Sequence, residues 1–117
     1  MATSFMKFPL RCLNKGYYEI IGSFQCNAAG VPLLPAGAGF TATRTGAGVY
    51  LLTLDEAIIE FIGGNATLQL NAAAAQYAQL GDVTVATPSV VVRIPGAADV
   101  AAHAQNRVNF SLVVRYL

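Results

Sequence analysis

The sequence predicts an all-β fold: an antiparallel two-sheet β-sandwich, jelly-roll-like, of about seven strands with an N-terminal arm over residues 1–16. Three observations point there. Short runs rich in aromatic and β-branched residues alternate apolar and polar positions, the period of a strand with one buried face. Glycine and proline clusters separate those runs at short intervals. Segments with helical spacing are few. A length of 117 residues fits one domain with one modest core, placed at residues 17–117.

The elements follow in chain order. Residues 1–16 read as an arm, because Phe5, Met6, Phe8, Leu10 and Leu13 alternate only briefly and Pro9 interrupts them. Tyr17–Cys26 reads as a strand, with Tyr18, Ile20, Gly22, Phe24 and Cys26 on one face. Gly22 marks a bulge or a close approach there. Residues 27–39 hold Pro32 and Pro35 among glycines and read as a loop or weak edge segment. Phe40 to Leu54 forms a hairpin turning on Thr45-Gly46-Ala47-Gly48, where glycine supplies positive φ without a Cβ clash. Tyr50, Leu52 and Leu54 share one face of its second strand; the other face is also largely apolar, which suits a strand covered on both sides.

DEAIIEFIGG, residues 55–64, is ambiguous. Ala57, Ile58, Phe61 and Ile62 have helical spacing, yet Gly63-Gly64 limits a helix to about two turns, and a short turn or 3₁₀ segment fits equally. Residues 66–71 alternate as a strand, and 72–80 read as an alanine-rich connection. Residues 82–86 and 89–94 read as strands split by Thr87-Pro88, and 95–106 as a long loop. The final strand, 107–116, puts Val108, Phe110, Leu112 and Val114 on its inner face. Tyr50, Leu52, Phe110, Leu112 and Val114 are the predicted core.

Composition limits function. Charged residues make up 11% of the chain and hydrophobic residues 55%, against about 25% charged in ordinary soluble domains. A surface so poor in charge favours association with other chains. The seven basic residues are scattered, and phosphate-backbone binding needs them clustered, so direct nucleic-acid binding is not expected. No apolar run approaches the roughly 18 residues of a membrane span. The N-terminus lacks the apolar core of a secretory signal, which suggests synthesis and folding in a cytoplasm. Cys12 and Cys26 are too few for a disulfide framework or a metal motif and read as small packing residues, with a bridge between them open only if their backbones approach.

Catalytic constellations are weak. His103 is the only histidine and no G-x-S-x-G accompanies it. Asp55, Glu56 and Glu60 form the only acidic cluster, placed where acids cap turns. The two G-A-G triplets extend to no phosphate-binding motif. Asp82 and Asp99 stand alone in sequence, which argues against calcium. The sequence therefore predicts no enzyme, no catalytic residues, no cofactor and no metal. Arg44, Arg93 and Arg115 are candidates for interface ion pairs with Glu19, Glu56 or Glu60, or else simply solvated.

The segment GFTATRTGAGVYLLTLDE, residues 39–56, resembles a glycine-turn hairpin of small tailed-bacteriophage virion proteins. In those proteins an alternating strand, here Ala66 to Asn71, and a closing strand of the type V-x-F-x-L-V-V-R, here Val108 to Arg115, follow it. The proline-rich stretch 31–39 and the alanine-rich stretches have no place in that pattern. The resemblance implies a trimeric β-sandwich that decorates or cements a capsid, located on the virion exterior and bound to the major capsid protein. It implies capsid-facing anchors at Phe5, Met6, Phe8 and Leu10 and a subunit contact near Val113 and Arg115. The alternative is a receptor- or glycan-binding knob, or another part of a tail fibre. Such a knob should show aromatic rings at loop tips, and 27–39, 63–65 and 95–106 carry none.

Overall fold

A computed structural model describes residues 11–14, 16–72, 76–96 and 99–117. The proposed anchors Phe5, Met6, Phe8 and Leu10 lie outside the described residues. The described residues form nine strands and no helix: β1 (Arg11–Asn14), β2 (Tyr17–Cys26), β3 (Pro32–Gly37), β4 (Phe40–Gly46), β5 (Val49–Leu54), β6 (Ile58–Gln69), β7 (Gln79–Thr84), β8 (Ser89–Arg93) and β9 (Arg107–Tyr116). All pairings are antiparallel. The first sheet runs β1-β2-β9-β6, with β3 also on β2; the second runs β4-β5-β8-β7. β1 pairs with Tyr17–Glu19 and β3 with Gly22–Cys26, so the two short strands share one edge of β2 and the sheet is four strands wide. β2 pairs with β9 and β5 with β8, a nested Greek-key order that joins distant parts of the chain.

The core is what the alternation foretold. Ile20, Phe24 and Cys26 from β2 and Val108, Phe110, Leu112, Val114 and Tyr116 from β9 face Tyr50, Leu52 and Leu54 of β5 and Val90 and Val92 of β8. Two aromatic pairs stitch the layers. Phe24 meets Tyr50 edge-on at 5.3 Å, and Phe40 meets Phe110 at 4.7 Å with the rings nearly perpendicular. These are favoured ring geometries. Gly22 is the reason the second pair fits: a Cβ there would lie 2.7 Å from Cζ of both rings. The glycine is a close approach, and Phe40 and Phe110 fill the notch it leaves.

Two strands beyond the expected seven come from segments read otherwise. Arg11–Asn14, inside the presumed arm, pairs with β2. Pro32–Gly37 pairs with β2 despite its two prolines, because an edge strand needs only half its backbone groups. Residues 58–64 are strand rather than helix. Bulges between Ile58 and Glu60 and between Phe61 and Gly63 shift the alternation of β6 and produce the helix-like spacing. β7 begins at Gln79, earlier than expected, and bulges between Gly81 and Thr84. β5 is not covered on both sides within one chain: Val49 and Leu51 remain half-buried on the outer face, beside Val91.

Candidate functional site

One end of the sandwich gathers the loop after β2, the β4–β5 turn, the residues just after β6, and the 99–106 loop. Polar side chains fasten that last loop to the strands. Asp99 is the hub. Its carboxylate accepts hydrogen bonds from Arg44 Nε (3.2 Å), the Gly48 N–H (2.8 Å) and the Tyr50 hydroxyl (3.2 Å), and Arg44 Nη2 stands 3.1 Å away. The Tyr50 hydroxyl in turn accepts from the Val100 N–H at 3.0 Å. The hairpin supplies these partners because Gly48, at φ +69°, turns its amide toward the loop. Gly30, at φ +81°, passes so close that a Cβ there would fall on the Asp99 carboxylate.

Further along, Asn106 is buried, accepts from the Asn71 N–H at 2.6 Å and donates to the Ala101 carbonyl at 3.1 Å. Gln25 and Gln69 donate to the carbonyls of Ala104 and Gln105. His103 accepts at Nδ1 from the Gln105 N–H within its own loop.

Electrostatics at this end favour a fixed latch. The Arg44 guanidinium, and then the Gly48 amide, hold the Asp99 carboxyl below the usual carboxylate range. Burial pushes the Cys26 thiol up, and its interaction with the Tyr50 hydroxyl opposes that rise. Burial raises the Tyr50 phenol as well. A thiol held in its neutral form is a poor nucleophile. Asp99 already receives hydrogen bonds from three groups and faces the Arg44 cation, so its charge is used to hold structure. Among the described residues no cluster of three or more His, Cys, Asp or Glu could hold a metal ion.

Within the single chain the arginines have their own contacts. Arg44 pairs with Asp99, and Arg93 approaches Asp82 at 3.7 Å, so neither aspartate stands alone in space. Arg107 bridges the outer face of the first sheet, donating to Ser23 Oγ and to the Leu34 carbonyl, both at 2.9 Å. Arg115 lies over the Tyr17 ring at 5.5 Å, within cation–π range.

Val113 and Arg115 sit together on the outer face of the first sheet. Val113 is half-buried, flanked across the strands by Glu19 and Gly63; Arg115 is exposed, flanked by Tyr17 and Glu60. Ile21 and Ile62 are exposed near Val113 and enlarge the apolar island. Glu19 accepts from Ser111 Oγ at 2.8 Å and borders it. Two features had no expectation attached. One is the Asp99 latch, whose partners lie 49 to 55 residues away in sequence. The other is Tyr77, an exposed aromatic in the stretch leading into β7; its place between an alanine run and a strand was the available signal.

No helix among the described residues is long and apolar enough to cross a membrane. No protein-family model, curated protein or solved structure matches this chain; what is shown is its architecture alone, an antiparallel two-sheet β-sandwich.

Proposed function

We propose that this chain is a non-catalytic structural subunit that works by association, as a decoration protein of a tailed-bacteriophage head. The observation that carries the reading is the exterior of the sandwich. With 13 charged residues in 117, the surface includes Ile21, Leu34, Ile59, Ile62 and Leu117, each close to half exposed or more. Exposed apolar side chains on a surface so poor in charge favour contact with protein. Ile21, Val113 and Ile62 form the patch offered to a second copy, with Arg115 at its rim. The N-terminal segment carrying Phe5, Met6, Phe8 and Leu10 is assigned to the capsid shell. The mechanism is mechanical: an oligomer spans neighbouring capsomers and adds non-covalent contacts against internal pressure.

The test has two parts. Light scattering on the purified chain should give a mass above one copy, and Val113→Glu with Ile21→Glu should reduce it to one. Co-sedimentation with assembled phage shells should then be lost on deleting residues 2–10. A chain that stays single-copy at high concentration and does not bind shells defeats the proposal.

A further inference from the structure

We propose that the outer face of the second sheet, at its β7 edge, carries a binding site for one pyranose ring, built by Tyr77, Gln79, Asp82 and Arg93 over a glycine floor. The site is independent of whether the chain assembles. A dimple of about 220 Å³ opens there, lined by Gln79, Leu80, Gly81, Asp82, Val91 and Arg93. Its depth comes from Gly81, which lies opposite Val91 and around which a Cβ would meet nothing within 4 Å. The volume lies below the range of drug-sized pockets and suits a single small ring.

The walls carry the groups a sugar needs. Asp82 sits in the β7 bulge at φ +50°, a conformation L-residues rarely adopt. Bulges re-aim side chains, and here Asp82 is turned toward Arg93. The two charges meet at only 3.7 Å, with 71% and 55% of their side chains exposed. At that separation neither group's hydrogen-bonding capacity is consumed. A carboxylate that accepts and a guanidinium that donates, side by side, match a vicinal diol, whose hydroxyls do both. Gln79, directly across from Arg93, adds an amide that donates and accepts.

Tyr77 supplies the apolar platform. Ala78 and Leu80 pack against the core, while Tyr77 and Gln79 are exposed. The alternating burial of residues 77–80 puts Tyr77, which precedes β7, on the same exposed side as Gln79, at the rim of the dimple and not among its lining residues. Tyr77 is 57% exposed, which leaves its ring face open to a ligand. The apolar C–H face of a pyranose fits such a surface, with the ring's hydroxyls directed at Asp82 and Arg93.

A shallow, one-ring site implies affinity on the order of millimolar. The test is a heteronuclear NMR titration of the full chain with the methyl glycosides of glucose, galactose, mannose and N-acetylglucosamine. At least one should give saturable shifts confined to the amides of Tyr77, Gln79, Gly81, Asp82, Val91 and Arg93. Tyr77→Ala and Asp82→Asn should each weaken that binding about tenfold, whereas Tyr77→Phe should retain it. Tyr17→Ala, on the far sheet, should change nothing. Circular dichroism checks that each variant is folded. If the methyl glycosides fail and the free reducing sugars bind with the same footprint, the site takes free monosaccharides rather than glycan ends. No saturable shift with any sugar, or binding indifferent to Tyr77→Ala and Asp82→Asn, overturns the proposal.

Discussion

Substituting Gly22 by alanine tests the packing between the two sheets. The added methyl would lie 2.7 Å from Cζ of Phe40 and of Phe110, whereas carbon atoms rest at about 3.5–4.0 Å. Both rings must retreat by about 1 Å, and both are buried, at 8% and 3% exposure. Their perpendicular contact at 4.7 Å would be disturbed as well. Overpacking of this kind costs about 1–3 kcal/mol, and an aromatic pair is worth about 0.5–1.5 kcal/mol. The opposing effect, reduced freedom of the unfolded chain, is about 0.4–1 kcal/mol in favour of alanine. The net expectation is destabilisation of about 1–3 kcal/mol. For a chain of this length, unfolding entropy makes 1 kcal/mol equal to about 4 °C, so Tm should fall by about 4–12 °C. Thermal melts by calorimetry read this directly. Phe40→Leu vacates part of the space the methyl needs, so the double variant should be less destabilised than the two single effects summed, by about 1 kcal/mol. A Gly22→Ala protein that melts at or above the unsubstituted chain, or strictly additive effects, would refute the notch.

Three further outcomes are expected. Arg44 and the Gly48 amide lower the Asp99 carboxyl, so its stabilising contribution is complete above the ordinary carboxylate value near 4 and is lost as pH falls through the lower folded value; Asp99→Asn should flatten that acid limb of a stability–pH curve. Burial, followed by the charges of Glu56 and Asp55, pushes Tyr116 up to about 12, and burial raises Tyr50 too, so both phenols stay neutral in the fold after they would ionise in the unfolded chain. Stability should therefore decline as pH climbs above about 10, and absorbance at alkaline pH should show two late-titrating tyrosines. Finally, in a Cys12→Ser background Cys26 should resist a thiol-specific reagent until the protein unfolds, because its thiol is buried and held neutral; rapid native labelling contradicts this.

Strands with clean period-two patterning were legible. Tyr17–Cys26, Val49–Leu54 and Arg107–Tyr116 occur as expected, and all five predicted core residues are buried. The misreadings have local causes. The bulges of β6 shift its alternation, so Ile58, Phe61 and Ile62 imitate a helix. β3 hides behind prolines that only an edge strand tolerates. The latch was illegible because Asp99 acquires its meaning from Arg44, Gly48 and Tyr50, about fifty residues upstream. No local spacing encodes such a contact. Tyr77 is illegible for a different reason: it lies in the alanine-rich connection before β7, outside the loops where an exposed ring is expected.

The position of β9 between β2 and β6 has a kinetic consequence. The contact of Ser111 with Glu19 spans 92 positions of chain, and closing such separations is slow. Until Arg107–Tyr116 arrives, the flanking strands have no shared neighbour, and their bare hydrogen-bonding edges are open to capture by other nascent molecules. Assembly of the first layer thus waits on its middle plank, and crowded or hurried synthesis should exact its toll there, as insoluble material, before any mature fold exists.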